Sequence, residues 1–206
     1  MHGSAIQEAE AALARGCAVK QLRKRIKLLN GQIEKLQLKA AKNQEKLSQK
    51  KVKDWYASPE LIALVRQVMG EIDLDPISNE VAQQWIGATN YYTLAQDGLS
   101  QPWFGRVWLH PPAGQKTAKW TNKACAEYES GRVVEAIILV KPAVDSKWFR
   151  KLSCLFPLCL PYQSLLLLDD QGQAQSKQGN AIFYLGQKTQ QFQQVFGAIG
   201  SVSSPR

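Results

Sequence analysis

The sequence predicts an α/β domain with a largely parallel sheet, carried behind a basic N-terminal helix of coiled-coil type. Three observations lead there. From Trp55 onward, short apolar runs of strand length alternate with helical stretches. Three of those runs end in a polar residue followed by proline, at Asp75-Pro76, His110-Pro111 and Lys141-Pro142. Proline stops the strand and leaves the polar side chain at its carboxyl end, where parallel sheets bind their ligands. Charge is also divided unequally. Residues 1–53 hold 13 of the 26 Lys/Arg and 4 of the 17 Asp/Glu, so the whole excess of +9 lies there and residues 54–206 are balanced.

The boundary between arm and domain is therefore set at 53/54. Within the arm, Val19, Ile26, Ile33, Ala40 and Leu47 alternate with Leu22, Leu29, Leu36 and Asn43 at spacings of three and four. These are the a and d positions of a heptad seam, and Ile at a with Leu at d favours a parallel pair. The e and g positions carry Arg23, Arg25, Lys39 and Lys46 without an acid. That leaves open a homodimer, an acidic partner helix, or docking on the chain's own domain. The basic residues Arg23, Lys24, Arg25, Lys27, Lys50 and Lys51 are the candidates for phosphate contact. The bland alternative is a solvated, solubilising face. The Lys/Gln-rich stretch 39–53 reads as a linker.

In the domain, Ser58 and Pro59 are an N-cap and a first-turn proline, giving a helix over Pro59–Met69. Glu71–Leu74 reads as a short strand and Asn79–Gln84 as helical. Arg106–Leu109 is a buried strand. Thr117–Ser130 is a helix closed by Gly131. Val133–Val140, apolar at seven of eight positions, is the central strand. A helix over Ser146–Leu152 follows, then strands near Leu165–Leu168 and Ala181–Leu185, a helix over Thr189–Phe196 and a last strand near Ala198–Val202. The aromatic pairs Tyr91-Tyr92 and Trp148-Phe149 read as core.

An apolar content of 45% is that of a chain with a real core. No run approaches the about 18 apolar residues of a membrane helix, and the N-terminus lacks the basic-then-apolar pattern of a secretory leader. A cytoplasmic protein without membrane contact is expected. The cysteines at 17, 125, 154 and 159 form no CxxC, and no histidine lies near Cys154 or Cys159, so reduced thiols are expected rather than a metal site. No G-x-G-x-x-G loop is present, which argues against a dinucleotide site.

Several stretches, in order, resemble the phage-type DNA N-6-adenine methyltransferases, the Dam-like family of phages and mobile elements. Asp54-Trp55-Tyr56-Ala57-Ser58-Pro59 resembles its opening W-x-T-P segment. Asp73-Leu74-Asp75-Pro76, followed by Ser78 and Asn79, resembles its DLDP segment. Tyr92, Asp97-Gly98-Leu99 and Trp103 resemble its Y…DGL…W stretch. His110-Pro111-Pro112-Ala113 stands where the family has its catalytic N/D-P-P-Y, and Trp120, Lys123, Trp148-Phe149, Tyr184-Leu185-Gly186 and Phe192…Phe196 fit the remainder, over about residues 54–200. The resemblance implies a Rossmann-like S-adenosylmethionine-dependent methyltransferase domain acting on adenine in double-stranded DNA. It further implies cofactor contacts at Ser58, Pro59, Asp73, Asp75 and Asp97, and no metal.

The chemistry accounts for the motif. The amino group of adenine is a poor nucleophile because its lone pair is delocalised into the ring. Acceptors placed on its two N–H bonds draw the nitrogen towards tetrahedral geometry and free the lone pair for in-line attack on the methyl group. Prolines hold those acceptors still. Here His110 replaces Asn/Asp, so a neutral imidazole offers one acceptor nitrogen. With an ordinary value near 6.5, activity is expected to fall as pH drops through that region. Ala113 removes the ring that stacks on the flipped base. Trp108, Trp120 and Tyr56 are the candidate replacements. Tyr162-Gln163 stands near where the family has an arginine-bearing G-R-x-x-F segment. Two functions stay open: methyl transfer to adenine in DNA, or a DNA-binding and assembly module that keeps the fold without turnover. Related targets are an RNA base or a protein amide.

Overall fold

A computed structural model describes Glu8, Glu10, Ala11, Leu13, Gly16, residues 19–21 and 23–35 of the arm, and residues 55–205 apart from Gln115, Asp170, Gln171 and Gln178. The chain divides into two compact units, Met1–Val52 and Lys53–Arg206.

The described residues of the first unit are helical, with an unbroken helix α1 over residues 23–35. Val19, Ile26, Leu29 and Ile33 are each about half exposed, so this stretch of the seam is open along one side of the helix. Leu22, Leu36, Ala40, Asn43 and Leu47 of the same seam, and Lys50 and Lys51, lie outside the described residues.

The second unit runs β1 (Tyr56–Ala57), α2 (Pro59–Met69), β2 (Leu74–Asp75), α3 (Glu80–Ile86), β3 (Asn90–Tyr91), a 3-10 turn at Leu94–Gln96, β4 (Gly105–Leu109), α4 (Thr117–Glu129), β5 (Val133–Val140), α5 (Lys147–Leu155), β6 (Leu158–Pro161), β7 (Leu165–Leu168), β8 (Ala174–Lys177), β9 (Ala181–Leu185), α6 (Thr189–Phe196) and β10 (Gly200–Ser203). It is an α/β unit with a seven-stranded sheet in the order β10-β6-β9-β5-β4-β2-β3 and a small sheet β1-β7-β8.

The large sheet has the expected parallel part and is mixed beyond it. β3, β2, β4 and β5 are parallel, but β9, β6 and β10 join antiparallel beyond them.

Caps fix where the helices start. Ser58 accepts from the Leu61 amide at 3.4 Å, Asn79 from the Ala82 amide at 2.9 Å, and Ser146 from the Phe149 amide at 3.3 Å. Because β5 is covered on both faces, its residues sort alternately into two cores. Ile137 and Leu139 join Trp108, Ile182 and Tyr184 beneath α2 and α6, while Ala136, Ile138 and Val140 join Leu74, Val107 and Leu109 beneath α4 and α5. On the first face Phe192 of α6 stacks on Tyr184 at 5.2 Å, both fully buried. Removing such a ring costs about 3–5 kcal/mol. Phe149 lies in the second core, with Trp148 packed against it, as their sequence pattern predicts.

Candidate functional site

β2 and β4 are parallel neighbours, with Leu74 opposite Val107. Asp75 and His110 therefore stand at adjacent carboxyl ends, on strands about 4.8 Å apart, with His110 two residues beyond the level of Asp75. Leu74, Val107 and Leu109 face the α4/α5 core, whereas Trp108 faces the α2/α6 core. Alternation then directs both Asp75 and His110 to the α2/α6 face, and the His110 ring lies 6.5 Å from that of Trp108.

Asp75 is buried, 2% exposed. Pro76 ends the strand, and one carboxylate oxygen turns back to accept from the Ile77 amide at 3.3 Å. The other accepts from the Gln83 side-chain amide at 3.0 Å, which also donates to Ser78 at 2.7 Å. The Gln83 oxygen accepts from the Ala88 amide at 2.9 Å, so α3 holds the whole group in place. These partners are neutral dipoles. Burial pushes the Asp75 carboxyl up to about 7, with the hydrogen bonds to Ser78, Ile77 and Gln83 opposing it.

His110 opens the loop between β4 and α4. Thr117 closes that loop by donating its hydroxyl to the Pro112 carbonyl at 2.8 Å and its amide to the Gly114 carbonyl at 3.1 Å. Gly114 has φ +108°, a conformation that side chains rarely adopt. Pro111 is buried, and Pro112 and Ala113 are exposed. His110 keeps partial exposure, yet the atoms around its ring remove enough water to lower its pKa to about 4. The expected loss of the neutral ring near pH 6.5 is thereby corrected downward, because desolvation penalises the imidazolium.

Asp97 reaches the same edge through its neighbour. A Cβ on Gly98 would lie 1.8 Å from the Pro76 carbonyl oxygen, so only glycine allows this loop to pack against the end of β2. Trp103 donates its indole N–H to the Gly98 carbonyl at 2.8 Å and stacks with Trp120 at 6.0 Å. Lys123 donates to the Leu99 and Gln101 carbonyls and clamps the loop from α4. Asp97 itself is exposed, with φ +48°, and its carbonyl accepts from Ser100 at 2.8 Å.

Asp73 does not join this group. It precedes β2 and lies at the amino end, where Arg106 occupies both its oxygens at 2.8 Å and donates its backbone amide at 2.7 Å. The guanidinium beside Asp73 holds its carboxyl below the usual range. A Cβ on Gly105, at φ +65°, would meet that carboxylate at 2.5 Å. Asp73 is a structural anchor, and the reason is a partner 33 residues away that local sequence does not announce.

Ser58 lies at the N-terminus of α2, which runs back over the α2/α6 face and so begins near the carboxyl edge. Tyr56 accepts a hydrogen bond from Asn79, and Trp85 donates to the Ala57 carbonyl at 2.8 Å, tying the start of the domain to α3. Pro59 is exposed in the first turn. Trp108 and Trp120 are buried in the two cores, and Tyr56 packs edge-on to Trp85 at 6.3 Å.

Gln83, Asn79 and Thr117, which organise the site, carry no signal of their own in the sequence beyond their places beside Asp75-Pro76 and His110-Pro111. Arg23, Lys24, Arg25 and Lys27 are exposed along α1. Among the described residues no group of three or more His, Cys, Asp or Glu is placed to hold a metal ion, and no helix is long and apolar enough to cross a membrane. No family model matches the chain, and no curated protein matches it.

Proposed function

We propose that this protein is a DNA adenine methyltransferase of the phage Dam-like type, with a Rossmann-like domain that takes S-adenosylmethionine at the carboxyl edge of its sheet. The observation that carries the reading is the placing of Asp75 and His110 at two adjacent strand ends, with the Asp97-Gly98 loop pressed on Pro76 at the end of β2 from the α4/α5 side. Asp97 presents an exposed carboxylate that fits a ligand bearing an ammonium, a sulfonium and ribose hydroxyls. Asp75, buried with its two oxygens held by Ile77 and Gln83, shapes the end of β2 where that ligand would lie. Asp73 does not fit, since Arg106 fills it.

S-adenosylmethionine supplies an electrophilic methyl group when bound. The chain's own residues act on the base. His110 is neutral at pH 7, so its unprotonated ring nitrogen accepts one N–H bond of the target amino group. The Pro111 carbonyl is the second acceptor, because the Pro112 carbonyl is taken by Thr117. Thr117 ties the loop that carries both through the Pro112 and Gly114 carbonyls, which is where electrostatic preorganisation would act. The basic arm, with Arg23, Lys24, Arg25 and Lys27, holds phosphate.

One observation favours a second reading. Exposed Ala113 has no ring, and the nearby tryptophans are buried, so base stacking of about 1–3 kcal/mol is missing. A relative that binds DNA and assembles through its coil without transferring methyl groups has that character. Transfer of tritiated methyl to adenine in unmethylated duplex DNA separates the two. Labelled adenine establishes the enzyme, whereas intact DNA binding without label establishes the module.

A further inference from the structure

Residues 19–21 and 23–35 of the arm are helical, and their apolar seam is open. By spacing, Val19, Ile26 and Ile33 hold a positions and Leu29 a d position, with Leu22 and Leu36 at the d positions before and after it. Val19, Ile26, Leu29 and Ile33 are 49–50% exposed along one side of the helix. The unbroken part of α1, residues 23–35, has the length at which a helix alone in water is marginal, about 12–15 residues. Burial of that stripe against a second surface is what stabilises such a helix.

The composition of the seam selects the occupant. β-branched residues at a with leucine at d suit a parallel pair, in which each seam residue meets its own counterpart in the other helix. Charge agrees with a second copy. In that register a g residue faces the e residue five positions further along the other helix. Arg25 at g then faces Asn30 at e, Gln32 faces Gln37, and Arg23 at e faces Ala18. Over this stretch no cation faces a cation across the seam, so like charges do not oppose pairing there. The Asn30 side-chain oxygen is an acceptor for the guanidinium opposite it. A groove of about 460 Å³ runs beside Ile26, lined by Arg23, Ile26, Lys27, Asn30, Gly31 and Glu34. It gives that guanidinium room and includes Glu34, the one acid of residues 23–35. Lys20, Lys24 and Lys35 hold the outer b, f and c positions, so phosphate contact and pairing use different sides of the helix.

We propose that the arm pairs with the arm of a second copy of this chain, as a parallel two-stranded coiled coil over residues 19–36. The pairing depends neither on methyl transfer nor on DNA binding. Sedimentation equilibrium of the full chain measures it. Wild type should pass from monomer to dimer between about 1 and 100 µM, since the seam is short. Ile26→Lys sets two ammonium groups in one apolar layer and should weaken the dimer about tenfold or more. Ile26→Asn should weaken it less, because paired Asn residues at a are compatible with two strands. Asn is the poorer helix former, so simple fraying of the arm would reverse that order. Lys24→Ala, on the outer side, should stay within about twofold of wild type. Orientation is read by cross-linking, with Cys17 and Cys154 replaced by serine. Parallel pairing sets position 33 against itself, so Ile33→Cys should form a disulfide between copies on mild oxidation, whereas antiparallel pairing sets it against position 22. The proposal is overturned if wild type is still monomeric at about 100 µM, which leaves the seam to an acidic helix of another protein. It is overturned equally by a trimer or tetramer, by a dimer that Ile26→Lys leaves intact, or by a dimer in which Ile33→Cys does not cross-link.

Discussion

Replacing His110 by Asn removes one titrating group from the carboxyl edge and unmasks another. In the folded protein Asp75 is raised from 3.8 to about 7, and His110 is lowered from 6.5 to about 4. A carboxyl whose folded pKa is raised contributes stability below its unfolded value and loses it as pH rises through the folded one. An imidazole whose folded pKa is lowered contributes above its unfolded value and loses that as pH falls through the folded one. Between about pH 4 and 6.5, folding takes up a proton at Asp75 and releases one at His110, so two opposing slopes of about 1.4 kcal/mol per pH unit cancel. The His110→Asn variant keeps only the Asp75 slope and becomes less stable as pH rises from about 4 to 7. Urea unfolding of wild type and variant at matched pH isolates the His110 contribution, because every other group is common to both. The variant gains about 2–3 kcal/mol on wild type between pH 7.5 and 4, a little less than the full shift because His110 keeps some exposure. A difference that stays within about 0.5 kcal/mol across that range would refute a desolvated imidazole at this strand end.

Other outcomes follow from single contacts. Gly98→Ala drives a methyl group into the Pro76 carbonyl and should cost about 1–3 kcal/mol in urea unfolding, with the Asp97 loop displaced; an unchanged midpoint contradicts the packing. Arg106→Ala leaves the Asp73 carboxylate beside Gly105 without its cation and should destabilise by about 1–3 kcal/mol, most at neutral pH and least once Asp73 is protonated in acid. Removal of residues 1–53 should lower DNA affinity and flatten its dependence on salt, since counterion release scales with the phosphates neutralised. An unchanged salt slope assigns the arm another purpose.

The parts of the fold legible in the sequence are those written in local chemistry. Ser58-Pro59 marks the start of α2, and the apolar run Val133–Val140 is the central strand in full. β1 and β3 have two residues each, too few for any periodicity, and Leu158–Pro161 between two prolines has no strand pattern. Ala174–Lys177 is polar because it is the outer strand of the small sheet. The antiparallel pairs of the large sheet join strands that are not consecutive in the chain, so composition and local spacing do not show them. In the site, strand-ending prolines gave away Asp75 and His110. They could not separate Asp73 from Asp75, because the difference lies in Arg106. Nor could they show that Asp97 is delivered by a glycine pressed on Pro76.

The central claim is that His110, set beside Asp75 at the strand ends, accepts from the amino group of adenine while methyl is transferred. Tritiated methyl transfer to unmethylated duplex DNA, compared at pH 7.5 among wild type, His110→Ala and the double variant His110→Asn with Ala113→Tyr, tests it most directly. Label should enter adenine with wild type, fall about a hundredfold in His110→Ala as for loss of one preorganised partner of the reacting group, and be equalled or exceeded by the double variant. Wild-type activity should persist to about pH 5, since the ring is neutral well below its ordinary value. No label in adenine from wild type and none from the double variant, with DNA still bound by both, would contradict it.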